Sequence, residues 1–341
     1  MWFVFGLLAV VDVQFNEDMT EVTISGEGKF TDFKDIPTEL VKATIKGEIT
    51  EIGDFSFSTL ENLQTVNFQI TSTSFRIGSN TFFGCSLLKT INIPDVTNYI
   101  GESAFEGCNS LTEIEIPFSL TTISKKCFYK CGRLQKIDLK NVKSINSSAF
   151  SMCSALSDVK FSNSLETIES SAFNACKISQ ITLPNTLKYI GNQSFCFCTE
   201  LTSITFPDSV EYIGEPAFYG CVSVKELTIP PKVETIFDST FVQMKNLQKV
   251  KLNHVKKISK EAFSQCVKLN NIDWGDSLTY IGSNAFSSSG LEGEISLPST
   301  IVSIDASAFT KTQIKSIIFN SEKNSIDNVV NENDKNGLTE K

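Results

Sequence analysis

One histidine, ten cysteines and a surplus of carboxylates over ammonium groups are the side chains from which this chain could build a reactive centre. The histidine is His254, set in Asn253-His254-Val255-Lys256-Lys257 with no nucleophile at a useful spacing. A lone His excludes His pairs and metal triads, and any Ser/His/Asp relay would rest on this residue alone. It reads as a solvated surface imidazole. Zinc sites need paired Cys or Cys/His sets at short fixed spacings, and no such set occurs. Eight cysteines instead recur in one register: Cys85, Cys108, Cys131, Cys153, Cys176, Cys198, Cys221 and Cys266. Cys127 and Cys196 stand outside it. Glu113 and Glu115 could mimic a carboxylate dyad, but as alternate residues of a strand they read as solvated charges. No phosphate-binding loop or nucleotide fingerprint is present. The chain is read as non-enzymatic, with no catalytic residues, cofactor or metal.

The elements that must position these residues are set by phenylalanine. Phe57, Phe82, Phe105, Phe128, Phe150, Phe173, Phe195, Phe218, Phe241, Phe263, Phe286 and Phe309 follow one another at intervals of 22 to 25 residues. A fixed period in this range marks a solenoid, whose units bury their apolar faces only by stacking on neighbours. An Ile stands five residues before each Phe, from Ile52 through Ile100 and Ile190 to Ile304. The residue just before each Phe is small, as at Ala104, Ser194 and Ala262, which predicts close approach of neighbouring backbones. Three residues after the Phe stands the register Cys, replaced by Leu60, Met244, Ser289 and Thr312 in four repeats. This spacing predicts one inward-facing helical turn. The register cysteines are then a column of buried thiols acting as small apolar groups. Cys196, beside the column, is expected to face solvent and react first.

An apolar landmark and a period-2 pair come next, as in Leu111, Ile114 and Ile116, or Leu201, Ile204 and Phe206. Alternation predicts one short strand per repeat. Pro closes it at Pro94, Pro117, Pro184, Pro207, Pro230 and Pro298, because Pro cannot donate to a ladder. Gly after the Ile anchor, as at Gly78 and Gly191, is expected to permit the turn into the next circuit. Successive strands should form a parallel sheet with about 4.8 Å between neighbours. Its outward positions make the candidate binding face: Glu113, Glu115, Lys136, Asp138, Asp158, Lys160, Thr182, Thr205, Thr228, Lys249, Lys251 and Asp273. That face carries almost none of the aromatic and Arg residues that dominate hot spots. It reads as polar, with weak or multivalent binding.

The unit I-G-x-x-A-F-x-x-C-x-x-L-x-x-I-x-I-P, nearly whole in Ile100–Pro117 and Ile190–Pro207, resembles the BspA-like leucine-rich repeat. The resemblance covers about residues 52–319. It implies a right-handed leucine-rich-repeat superhelix with a parallel β-sheet on one face and turns or helical turns on the other. It also implies a surface or secreted protein of adhesin or antigen type, recognising protein or glycan macromolecules of a host or matrix. An intracellular scaffold for protein–protein interaction, and so a cytoplasmic location, is the alternative.

The ends depart from the code. Residues 1–11 are an apolar run that reads either as a secretory signal's hydrophobic region or as a strand of the cap. Residues 12–51 read as a capping region with a degenerate repeat built on Leu40, Ala43, Ile45 and Ile49, its Phe displaced to Phe33. Residues 52–319 hold about twelve repeats, and 320–341 read as a polar, disordered tail. No segment is long and apolar enough to span a bilayer. The net charge of −9 and the presence of only Arg76 and Arg133 argue against nucleic acid as partner. Lys245, Lys249, Lys251, Lys256, Lys257 and Lys260 cluster against that acidic balance, either as a solvated patch or as a dock for an acidic protein or glycan. Two sequons, Asn146-Ser147-Ser148 and Asn192-Gln193-Ser194, lie beside Ile anchors.

Overall fold

The structure, a computed structural model, describes residues 11–31, 36–319 and 339–340. The apolar run up to residue 10, Phe33 and positions 320–338 of the tail lie outside the described residues. The chain forms two compact units, residues 1–165 and 166–341. Each is a stack of coils with one coil per repeat, held by short parallel strands in register.

The expected strand is present as a first ladder of three-residue strands. In the first unit Asp158–Lys160 pairs with Lys136–Asp138, which is bridged in turn to Glu113. In the second unit Gln180–Thr182 pairs with Ser203–Thr205, and Glu226–Thr228, Lys249–Lys251 and Asn271–Asp273 follow one another. The central residue points inward: Ile137, Ile181, Leu227 and Val250 are buried. Each Pro ends the strand as expected, and its carbonyl then accepts the N–H three residues on, as in Leu120 to Pro117 and Val210 to Pro207.

A second parallel ladder was not foreseen. It runs through the Ile anchors as two-residue strands: Thr122–Ile123 with Ser144–Ile145 in the first unit, Tyr189–Ile190 with Tyr212–Ile213 in the second. Two residues are too few to show alternation, so the sequence pattern there shows only the Ile anchor. Three residues before the anchors stands a further buried column: Leu120, Val142, Leu165, Leu187, Val210, Val233, Val255, Leu278 and Ile301. Thr97 takes that place in one coil.

The segment around each Phe is not a helical turn. No helix occurs among the described residues, and here the backbone alternates in hand. Ser103 and Gly107, two residues either side of Phe105, have φ of 54° and 78°; Lys126 and Lys130 flank Phe128 with 53° and 59°. Left-handed residues cost about 1–2 kcal/mol each when they bear a Cβ. The compensation is visible in the hydrogen bonds. N–H groups of Ser103, Phe105 and Gly107 all point to the next coil, reaching Lys125, Cys127 and Tyr129 carbonyls at 3.0, 2.8 and 2.8 Å. Intervening N–H groups close local turns, as Cys108 does on Phe105 at 3.1 Å. A helix would have directed every N–H along its own axis and left the coils unbonded here.

The rings themselves stack. Phe57, Phe82, Phe105, Phe128 and Phe150 lie 5.3–5.5 Å apart in the first unit, tilted by 6–15°. Phe173 through Phe309 continue in the second unit at 5.2–5.9 Å. Glycine after the anchor serves a different purpose from the one expected. Gly78 and Gly191 do not need positive φ; a Cβ on either would come within 2.6 Å of the Asp54 backbone N or 2.7 Å of the Glu169 carbonyl carbon. Close packing of coils, not turn geometry, excludes a side chain there.

The cap is longer in strand than the repeats. β1 (Val11–Phe15) runs antiparallel to β2 (Glu21–Phe30), which pairs in parallel with β3 (Lys42–Ile52). Leu40, Ala43, Ile45 and Ile49 are fully buried. Phe30 is the residue that meets Phe57, at 6.3 Å. At the other end Glu292–Leu297 pairs with Gln313–Phe319 through a register shift at Gly293/Glu294, so the irregular run after Phe286 is absorbed without breaking the stack. Thr339–Glu340, in the tail read as disordered, pairs with Ser316 and Ile317.

Phe195 lies between Phe173 and Phe218 and is fully buried, whereas Phe309 is 6% exposed. In denaturant titrations Phe195→Ala should lose about 3–5 kcal/mol and Phe309→Ala clearly less. Equal losses would contradict a cooperative ring column.

Candidate functional site

The outward positions of the first ladder are where the sequence placed them. Glu113, Glu115, Lys136, Asp158, Lys160, Thr182, Thr205, Thr228, Lys249, Lys251 and Asp273 are exposed, and Asp138 is half-buried. In the first unit the charges alternate along the stack. Lys136 bonds Glu113 at 2.7 Å and Lys160 bonds Asp138 at 2.8 Å. The hydrogen bond to Glu113 raises the Lys136 ammonium pKa, and that to Lys160 lowers the Asp138 carboxyl. Such exposed pairs add little stability, but they hold the side chains in register. In the second unit Thr182 opposes Thr205, Thr228 opposes Lys251, and Lys251 opposes Asp273. Glu113 is engaged by Lys136 and open to water, unlike a carboxylate dyad that shares a proton in a dry site.

The lysine cluster does not form one patch. Lys249 and Lys251 stand on the first ladder. Lys256 is paired with Glu234 at 2.7 Å, Lys257 lies over the Tyr280 ring at 5.5 Å, and Lys260 faces Glu261 at 3.6 Å. A stretch of sixteen residues from Lys245 to Lys260 wraps most of one coil, so proximity in sequence becomes dispersal around its circumference.

His254 is exposed as expected, and its Nδ1 lies 3.0 Å from Asp276 Oδ1. Ser277 donates to the same oxygen at 2.7 Å. The set is Ser, His and Asp, yet the hydroxyl bonds the carboxylate. A nucleophilic serine must be bonded to the imidazole instead. Asp276 is held below the usual carboxylate range by the Ser277 and then the His254 hydrogen bond.

The register thiols are free, buried and bonded in a way that explains their choice. The Sγ atoms of Cys85, Cys108, Cys131, Cys153, Cys198, Cys221 and Cys266 donate to the Phe carbonyl of the preceding coil, as Cys108 does to Phe82 at 3.3 Å, Cys131 to Phe105 at 3.1 Å and Cys221 to Phe195 at 3.1 Å. That carbonyl also accepts the N–H of its own repeat's cysteine, so the thiol fills its second lone pair. Burial pushes Cys85, Cys153, Cys198 and Cys266 up to about 12 from 9.0. Cys196 corrects the sequence reading: it is 5% exposed, and burial raises its thiol to about 11. Its neighbour Phe197 takes the outward place and packs edge-on against Tyr219, with Gly220 close beneath the ring. Of the sequon residues, Asn146 and Asn192 are half-buried and Ser194 is fully buried.

The sequence reading missed the column just before each Ile anchor. Tyr189 and Tyr212 stack there at 4.9 Å, and Phe237 leans on Tyr212 at 5.1 Å. In the first unit Arg76 covers the Tyr99 ring at 4.2 Å. A hollow of about 420 Å³ opens beside Tyr99, lined also by Asn98, Glu102, Thr122, Ser124 and Lys125. Reading residues at anchor minus one, in the register already found, would have exposed this column.

A family model for the BspA type leucine rich repeat region (6 copies) matches residues 29–141, 75–191, 121–247, 166–292 and 213–336. Among solved structures, a leucine-rich repeat protein from Bacteroides ovatus superposes with a TM-score of 0.62 at 23% identity, covering 92% of this chain and 100% of that one. A leucine rich cell surface protein from Faecalibacterium prausnitzii gives 0.55 at 23% identity over 96% and 98% of the two chains. A leucine-rich repeat protein from Eubacterium ventriosum gives 0.52 at 22% identity over 89% and 92%. No curated protein sequence matches the chain. At these identities the solved structures carry the fold.

Two outcomes follow from the thiol column and its exceptions. Thiols whose folded pKa is raised keep their proton while the unfolded chain loses it. Their contribution is therefore complete below the unfolded value of 9.0 and is lost as pH rises toward about 12. Denaturant midpoints should fall between pH 8 and pH 10.5, less steeply in Cys153→Ala, and native thiols should resist alkylation at pH 8. Thr97, Ser194 and Ser289 are buried hydroxyls without a hydrogen-bond partner. Thr97→Val, Ser194→Ala and Ser289→Cys should each raise stability by about 1 kcal/mol in the same titrations, the last by giving Phe263 the thiol donor found elsewhere.

Proposed function

The chain belongs to the BspA-type leucine-rich repeat family, and from this we infer that it is a non-catalytic recognition protein, displayed on a cell surface or secreted. It binds a protein or glycan of its surroundings along the outward row of the first ladder. The observation that carries this reading is the exposed–buried–exposed pattern of strands such as Gln180–Thr182, Glu226–Thr228 and Lys249–Lys251. Each coil spends its central residue on the core and leaves two side chains free at a fixed spacing. Repeats of this kind build extended binding surfaces without a pocket. The likeness to a leucine rich cell surface protein of Faecalibacterium prausnitzii supports the location. No described helix is long and apolar enough to cross a membrane.

A second reading, an intracellular scaffold, has one observation in its favour. All ten cysteines are free and buried, a state a reducing compartment preserves.

Labelling intact cells with a membrane-impermeant reagent separates the two. The surface reading expects labelling before lysis or a secreted pool, and protection of all the protein until lysis would sink it. Arrays of glycans and matrix proteins test the binding row. Lys249→Glu with Lys251→Glu should weaken capture of the strongest partner while shifting stability by less than about 0.5 kcal/mol per site, as surface changes do. Unchanged capture by this variant and by a matching Lys136→Glu, Lys160→Glu variant would remove the first ladder from the interface.

A further inference from the structure

The column before the Ile anchors contains an interrupted stack. In the second unit Tyr189 and Tyr212 occupy consecutive rungs and lie face to face, 4.9 Å apart and 4° from parallel. In the first unit Arg76 and Tyr99 are partners in register, and the guanidinium covers one face of the ring. One repeat later the equivalent of a second ring is Thr122, which is too short to cover the other face. The hollow of about 420 Å³ lies on that side: apart from Tyr99's own coil, its lining comes from Leu120, Thr121, Thr122, Ser124, Lys125 and Asn146 of the following coils, and none from the coil of Arg76. Its volume falls within the range of about 300–1,000 Å³ seen for small-ligand sites.

We propose that this hollow is a subsite for one neutral pyranose ring of a glycan, seated where the missing aromatic rung would be. One wall is the free face of Tyr99, whose negative π-surface attracts the C–H face of a sugar. The rim is polar. Glu102 and Lys125 are joined at 2.9 Å and both remain about half exposed, at 48% and 54%. Together they offer an acceptor and a donor side by side with no net charge, which suits vicinal hydroxyls better than a carboxylate or sulfate. Asn98 donates to Ser74 at 3.0 Å and so keeps its amide oxygen as a further acceptor. A pyranose has this same distribution, apolar on its face and hydroxylated around its edge. An aromatic side chain of a protein partner would fill the space equally well. It would, however, cover Glu102, Lys125 and Asn98 without returning their hydrogen bonds, which is costly. The subsite uses none of the first-ladder residues, so it stands or falls apart from the binding row.

Saturation-transfer NMR on the full chain reads the contact directly. The probes are the methyl glycosides of glucose, galactose, mannose and N-acetylglucosamine, with N-acetyltyrosine amide as the aromatic alternative. Saturation should reach the ring C–H protons of at least one glycoside. Thr122→Tyr supplies the absent ring and should weaken that glycoside by at least about tenfold, the equivalent of a lost stacking contact. Tyr99→Ala should do the same, and Tyr99→Phe, which keeps the face, should stay within about twofold of the parent. Circular dichroism checks that each variant keeps its fold, and a Thr122→Tyr chain that fails to fold leaves the Ala and Phe pair to decide. No transfer to any glycoside, transfer that survives the loss or covering of the Tyr99 face, or preference for N-acetyltyrosine amide over all four sugars would overturn the assignment.

Discussion

The bond from one coil to the next at the phenylalanine segment is the constraint on which the other features depend. Alternate N–H groups there leave their own coil and bind carbonyls of the following one, as Phe105 does at Cys127 and Phe128 at Ala149. In most repeats that geometry places left-handed residues two positions on either side of the Phe, Pro216 before Phe218 and Ser307 before Phe309 being departures, and a small residue just before the Phe, where backbone meets backbone. Within each unit it also brings successive rings to 5.2–5.9 Å from one another. The carbonyl of the Phe then has one lone pair used by its own repeat and one still open. A cysteine thiol three residues on in the next coil reaches it, whereas the shorter serine hydroxyl at position 289 does not. Thiol chemistry in this register is thus subordinate to backbone satisfaction.

Function in such a chain is confined to what the stacking leaves over. Core columns repeat because any coil that departs from them also disturbs its neighbours. Outward columns are free to vary, and variation along a column becomes shape. On the first ladder this yields alternating charge in one unit and a threonine–lysine–aspartate succession in the other. On the second ladder it yields stacked rings in one place and a gap in another. A solenoid needs no pocket-forming loops to make a binding site, because omitting one large side chain from a column is sufficient.

Several residues were legible as to position but not as to role. Gly78 and Gly191 were visible in the repeat, yet their reason is a backbone contact across coils that one repeat does not contain. Cys196 was seen to be off the register, and burial of its position depends on the hand of the turn, which sends Phe197 outward in its stead. The lysines from 245 to 260 looked like a patch because sequence is linear, and the coil distributes them around its circumference. The second ladder is not legible in the sequence because strands of two residues have no period to detect.

The amino-acid order alone shows the repeat, its period, the Phe, Ile and Cys columns and the outward positions of the first ladder. These are legible because the Phe and Ile columns recur twelve times and one register places the others. How residues in different coils answer one another is settled by folding: which carbonyl a thiol serves, which carboxylate His254 meets, and which face of Tyr99 stays open. These relations join residues 22 to 28 positions apart, through contacts that no single repeat encodes.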